Sequence, residues 1–168
     1  IHRITTNAPV GTRYNFRADG VYAPDHGLWF DPSKLLLDPY ATEIDRPFTH
    51  DPRLYTFGED TADAMPKAIV RHHAPALKQP PQFASSGLIY EVAVRPFTML
   101  HPDVPEAIRG TVSALAHPAI IAHLKTIGVN AIELMPITAW IDERHLPPLG
   151  LTNGWGYNPV GFMALDPR

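Results

Sequence analysis

Residues 151–159 read Leu-Thr-Asn-Gly-Trp-Gly-Tyr-Asn-Pro. Asn153, Trp155, Tyr157 and Asn158 are set around Gly154 and Gly156, and Pro159 closes the run. Gly, Asn and Pro at this density exclude a regular helix or strand, so two large aromatic rings stand in a loop. Rings in a loop have two uses. They fold back as a small local core, since Trp is usually well covered. Alternatively they form a platform for a ring-shaped ligand. One face of a sugar is a layer of C–H bonds that lies well on an aromatic face, and a Tyr hydroxyl bonds a sugar oxygen. Glycines on either side let the backbone come close to such a ligand. For Trp155 both readings stand.

Other groups that could do chemistry are fewer. Glu91 and Glu133 each lie inside an apolar run, where a carboxylate must be hydrogen-bonded or paired. They read as structural acids at strand positions, with catalysis as the second reading. Asp142, Glu143 and Arg144 read as a solvated surface run. The chain has nine histidines and no cysteine. His117 and His123 are six apart and fall on different faces of a helix, while His72 and His73 are adjacent. Neither HxxxH nor HxH spacing occurs, so no metal site is expected. No phosphate loop, dinucleotide fingerprint or GxSxG elbow is present, and no cofactor is expected.

The elements that would position the loop follow from pattern. LIYEVAV (88–94) is a strand rich in branched and aromatic residues. LAHPAIIAHLKTIG (115–128) is helical, with Ile120, Ile121, Leu124 and Ile127 on one stripe, Pro118 in the first turn and Gly128 as the stop. VNAIELMPI (129–137) is a second strand. Strand, helix, strand is a βαβ unit with parallel strands. About 30 residues without a clear element follow Pro136, and loops of that length in compact folds are usually functional. Ligands of α/β folds gather beyond the C-terminal ends of the strands, where this loop would lie. Upstream, residues 13–30 alternate apolar and polar residues around Asp19-Gly20 and Asp25-His26-Gly27, giving short antiparallel strands. Asp31-Pro32 starts a single turn, 42–66 reads as an extended surface excursion, and 66–70 as one more strand. Residues 71–87, with Pro75, Pro80 and Pro81, read as a linker.

Composition bounds the class. The 168 residues are 45% hydrophobic and 18% charged, which suits a globular core. A net charge of −3 gives no electrostatic case for nucleic acid or an acidic membrane surface. No apolar run approaches a membrane span of roughly 20 residues, so no membrane partner is expected. The absence of cysteine favours a reducing compartment, and no charged-then-apolar leader is visible. The chain begins at Ile1 rather than Met, so the native N-terminus is expected to lie further upstream.

Three segments together carry a resemblance: LIYEVAVRPFT (88–98), HPDVPEAIRGTVSALAHPAIIAHLKTIGVNAIELMPI (101–137) and GLTNGWGYNPVGFMALDPR (150–168). In order and spacing they resemble bacterial glycogen debranching enzymes, the isoamylase-like members of the α-amylase superfamily. RADGVYAPDHGLWFDPSKLLLDPYA (17–41) resembles the later part of that family's N-terminal β-sandwich, a carbohydrate-binding-module-like domain. The resemblance covers nearly the whole chain and is least clear over 42–87. It implies a mixed fold: the C-terminal part of a β-sandwich over 1–70, a linker over 71–87, and over 88–168 the first β-α-β part of an incomplete (β/α)8 barrel. Residues 88–94, 115–127 and 129–135 would be the barrel's first strand, first helix and second strand. Tyr157 matches a family tyrosine that stacks under the sugar next to the scissile bond, and Trp155 and Asn158 belong to the same substrate-binding motif. Two positions depart from the family: Gly154 stands where an aromatic residue is common, and Pro96 where a Gly is.

The resemblance implies a cytoplasmic glycoside hydrolase acting on α-1,6 branch linkages of glycogen or limit dextrin. Retaining hydrolysis needs two carboxyl groups about 5–5.5 Å apart. In the family these follow the fourth and fifth strands, with a further Asp after the seventh. The chain stops before them, so no catalytic residue is assigned within it. The expected partners are glycogen or an α-glucan oligosaccharide and the remainder of the parent chain. Two other functions fit the same residues: a glucan-binding or structural module, and a related enzyme that acts on α-1,4 links or transfers glucan chains.

Overall fold

The computed structural model describes residues 4–72, 75, 83 and 85–168. The chain divides into two compact units. One is built from residues 1–74 and 138–168, the other from 75–137. Residues 138–168 therefore pack with the first part of the chain, whereas the sequence reading groups them with 88–137. The linker expected over 71–87 lies for the greater part outside the described residues.

In the discontinuous unit the strands are short. β1 (Arg13–Tyr14) pairs antiparallel with β4 (Ala68–Ile69), and β2 (Tyr22–Ala23) with β3 (Leu28–Trp29). A 3-10 turn at Pro24–His26 joins β2 to β3, as Asp25-His26-Gly27 signals. Isolated bridges extend the pairing: Phe16 to Leu36, Ile44 to Ala68, Thr138 to Leu165 and Trp140 to Pro159. The small core joins the unit's two segments. Ala41, Ile44 and Ala68 pack with Ala139 and Ala164, and Tyr14, Leu37 and Val160 lean against them.

Residues 42–66 are not a free excursion. Side-chain hydrogen bonds tie the segment to backbone groups. Arg46 donates to the carbonyls of Asp63 and Met65, Lys34 to those of Thr56 and Glu59, and the buried Thr61 hydroxyl accepts from the Leu35 amide at 2.9 Å. Asp31 is the pivot of this segment. Its carboxylate accepts from the Ser33 hydroxyl at 2.6 Å, the Ser33 amide at 2.9 Å and the Gly58 amide at 2.9 Å, with the Lys34 ammonium 3.4 Å away. The Ser33 hydroxyl above all, helped by these amides and Lys34 against the opposing effect of burial, lowers its pKa to about 2.

The second unit is contiguous. β5 (Leu88–Val92) and β6 (Val129–Leu134) pair in parallel, as the βαβ pattern requires. Both strands end earlier than expected. After Val92 the chain enters a short helix, α1 (Val94–Met99), whose Pro96 falls within the first turn, where its missing N–H breaks no bond. β6 stops at Leu134 because Pro136 follows and cannot donate to a ladder. α2 spans Pro118–Thr126 rather than starting at 115, and Val112–Ala116 is 3-10 helix. A residue before proline is pushed out of the helical region. His117 accordingly sits at φ −65°, ψ 136°, and its ring nitrogen accepts from the Ala119 amide as the cap.

Of the apolar stripe on α2, only Ile120, at 1% exposure, and Leu124 enter the core with Val104, Ala114 and Phe97. Ile121 and Ile127 are 40% and 43% exposed. Leu88, Ile89 and Ile132 of the two strands are exposed as well, because a two-stranded pair covers little of its own surface. Glu91 and Glu133 are exposed and directly opposite in register, so water solvates both carboxylates and neither needs the buried partner expected for it. Among the described residues the sheets are these three two-stranded pairs.

Two measurements test the local physics. Gly110 has φ 73°, and a Cβ there would come within 3.2 Å of Met99 Sδ and 3.3 Å of Arg95 Cγ, while its amide donates to the buried Thr98 hydroxyl at 2.8 Å. Gly110→Ala should cost ~1–2 kcal/mol in denaturant melts, the scale of the left-handed penalty. Asp31 has a folded pKa of about 2, below an unfolded value of about 3.9. Its stabilisation is therefore present above pH ~4 and is lost as pH falls through ~2. Asp31→Asn should lower stability at pH 6 and flatten the loss between pH 4 and 2, read by an acid titration of tryptophan fluorescence.

Candidate functional site

The loop at 151–159 has a built frame. Asn153 is its organiser. Its side-chain oxygen accepts from the amides of Trp155 at 3.0 Å and Gly156 at 2.8 Å, a turn in which Asn replaces a backbone carbonyl. Its side-chain amide donates to Glu143 Oε1 at 3.0 Å, and its own backbone amide donates to Asp142 Oδ1 at 2.8 Å. Gly156 is buried at φ 77°, a conformation that a side chain resists. The turn thus depends on both residue types at this spacing.

Asp142 closes the other side. Its second carboxylate oxygen pairs with Arg168 at 3.1 Å. Arg168 also bonds both oxygens of Asp166 and places its guanidinium 4.4 Å from the Trp140 ring centroid. The Asp166 carboxylate first, and Asp142 with it, raises the Arg168 pKa, so this cation stays charged. The backbone completes the frame. The Ile141 amide donates to the Asn158 carbonyl, Val160 to Ala139 and Ala139 to Ala164. Between Asp142 and Asn153 the chain turns tightly through Glu143–Leu146 and a 3-10 segment at Pro147–Leu149. The 30 residues after Pro136 are therefore ordered by hydrogen bonds and bridges, with no long strand or helix to announce them.

The rings project from this frame. Trp155 is 71% exposed and Tyr157 61% exposed, and they meet edge to face with centroids 6.5 Å apart. Trp155 does not fold back as a local core. Asn158 is half-buried and contributes its carbonyl to the frame. The three residues marked out by sequence are thus consecutive parts of one structured loop, two offering ring surface and one holding backbone. A Cβ at Gly154 meets nothing within 4 Å. Beside the loop an open cleft of about 450 Å³ is lined by Phe48, His50, Asp142, Pro147, Leu151 and Thr152.

The solvated run expected at 142–144 is not one. The Asp142 side chain is only 15% exposed, Glu143 bonds Asn153, and the Arg144 guanidinium lies 3.9 Å from the Tyr55 ring centroid. Asp142 and Glu143 hold the loop, while the exposed Arg144 lies against Tyr55. The signal for them was the loop itself: an Asn ahead of Gly-x-Gly leaves amide donors that need nearby acceptors. Glu91 and Glu133 lie in the other unit. Among the described residues no group of three or more His, Asp or Glu is placed to hold a metal ion, and no helix is long and apolar enough to cross a membrane.

Comparison with known proteins decides the lineage. The chain is 43% identical, over 94% of its length, to a glycogen debranching enzyme of Yersinia pseudotuberculosis. It is 42% identical, over 99% of its length, to one of Cronobacter sakazakii, and 43% identical to one of Yersinia pestis. Along nearly its whole length the chain is similar to proteins named glycogen debranching enzyme. It spans only about 25% of the length of these relatives. No protein-family model matches it.

The frame makes a direct prediction. Asn153→Ala removes the acceptor for two amides and the donor to Glu143. Amide exchange at Trp155 and Gly156 should accelerate at least tenfold, measured by mass spectrometry on the peptide that holds them, while exchange in α2 stays unchanged.

Proposed function

We propose that this chain is the portion of a cytoplasmic glycogen debranching enzyme that supplies part of its substrate platform. The parent protein would hydrolyse α-1,6 branch linkages in glycogen or limit dextrin. The observation that carries the reading is the exposed Trp155–Tyr157 pair on a hydrogen-bonded loop, in a chain 43% identical to proteins named for that activity. A sugar ring fits against the Tyr157 face, and the fixed backbone at Gly156 keeps that face in place before the ligand arrives. A pre-ordered ring loses little entropy on binding.

The chemistry would be retaining. An Asp would form the glycosyl-enzyme and a Glu would serve as acid and then base, both beyond Arg168. In the same reading, the parallel β5–α2–β6 unit is the start of a (β/α)8 barrel, and its exposed Leu88, Ile89 and Ile132 are surfaces that further strands and helices cover. Residues 1–70 belong to a carbohydrate-binding-module-like sandwich.

The test uses the full-length protein. Tyr157→Ala should lower kcat/KM on a branched dextrin by at least tenfold, a loss of about 1.4 kcal/mol of transition-state stabilisation, whereas Tyr157→Phe, which keeps the face, should stay within about threefold. Unchanged binding and turnover in Tyr157→Ala would remove the platform reading. The purified 168 residues should release no reducing sugar from glycogen above a buffer control.

A further inference from the structure

One side chain far away in sequence reaches the loop's frame. His50 Nε2 bonds the backbone carbonyl of Asp142, 92 residues further on, and His50 Nδ1 lies 2.8 Å from the Tyr55 hydroxyl. The partners fix the proton. A carbonyl only accepts, so Nε2 carries a hydrogen, and in the neutral ring Nδ1 then accepts from the Tyr55 hydroxyl. The ring is held on its other sides too. Phe48 meets it edge to face at 5.4 Å, and Tyr55, which stacks near it at 6.3 Å, is covered by the Arg144 guanidinium at 3.9 Å. His50 also lines the cleft beside the loop, together with Asp142, Leu151 and Thr152.

From His50 the connections run on without a gap. The Asp142 carbonyl accepts the hydrogen bond from His50 Nε2–H. The Asp142 carboxylate takes the Asn153 amide. The Asn153 side chain takes the amides of Trp155 and Gly156. We propose that His50 is a positioning residue for the aromatic loop: its Nε2–H fixes Asp142, and through Asn153 fixes the backbone that presents Trp155 and Tyr157. The histidine touches neither ring. It acts by holding one residue whose two ends hold two different stretches of chain. The link to glucan rests on the platform reading above, but the link to the loop does not.

His50→Phe keeps the ring and removes both nitrogens. His50→Gln keeps an N–H that reaches the Asp142 carbonyl. Both are made in the full-length protein and read in two ways. The first is amide exchange of the peptide spanning 150–157, which reports the loop without any ligand. The second is KM and kcat on a branched dextrin. A loosened loop must be ordered when substrate binds, and that cost falls equally on ground state and transition state. His50→Phe is therefore expected to accelerate exchange at 150–157 by at least fivefold and to raise KM three- to tenfold, with kcat within twofold. His50→Gln should return both to within twofold of the native protein.

Exchange at 150–157 that is unchanged in His50→Phe overturns the proposal. So does acceleration spread equally over 10–70, which marks a merely structural histidine, and so does failure of Gln to restore the loop. Accelerated exchange with an unchanged KM supports the positioning role and overturns the platform reading instead. Tyr157→Ala separates the two from the other direction: it should raise KM while exchange at Asn153 and Gly156 stays native.

Discussion

Asp142 is the residue on which the frame of the 151–159 loop hangs. Its carbonyl accepts from His50, one carboxylate oxygen accepts from the Asn153 amide, and the other pairs with Arg168. Four stretches of chain meet at one residue, whose side chain is mostly withdrawn from water. A charge in that position must be matched, and each match here is a charged group or a backbone donor with nowhere else to go. The exposed rings of Trp155 and Tyr157 are the result. Both rings are exposed, and the hydrogen bonds centred on Asn153 fix the turn from which they project.

The same device appears in the other long irregular stretch. Asp31 gathers Ser33, Gly58 and Lys34, Arg46 ties two carbonyls, and Thr61 closes on Leu35. With strands of two residues and a core of alanines and one isoleucine, the discontinuous unit has little apolar area to bury. Its order comes from side chains that satisfy backbone groups one at a time. This is an expected solution for a proline-rich segment, since each proline removes a backbone donor.

What could be read from the sequence follows that division. β5, α2 and β6 were legible, because apolar runs and a helical stripe report elements held by packing, and the parallel pairing followed from their order. Two of their ends are set by a proline one or two residues away: His117 leaves the helix because of Pro118, and β6 stops at Leu134 ahead of Pro136. The two rings and the glycine-rich turn were legible as residue types. Their supports were not. Asp142, Glu143 and Arg144 look in sequence like any charged surface run, and His50 looks like any loop histidine. A hydrogen bond between residues 92 apart leaves no periodicity to detect.

The unit that carries the rings is split in the chain, with residues 75–137 inserted between its two parts. That order has a consequence for how the protein is made. On a ribosome the inserted unit is complete before Ala139 and Ala164 exist to finish the core with Ile44 and Ala68. Residues 1–74 must wait, partly ordered, while 63 further residues and then a hydrogen-bonded loop emerge. The contact between His50 and Asp142 closes across that whole insertion and belongs among the last to form. The exposed rings of Trp155 and Tyr157 thus acquire their final setting only when both halves of a divided unit have met.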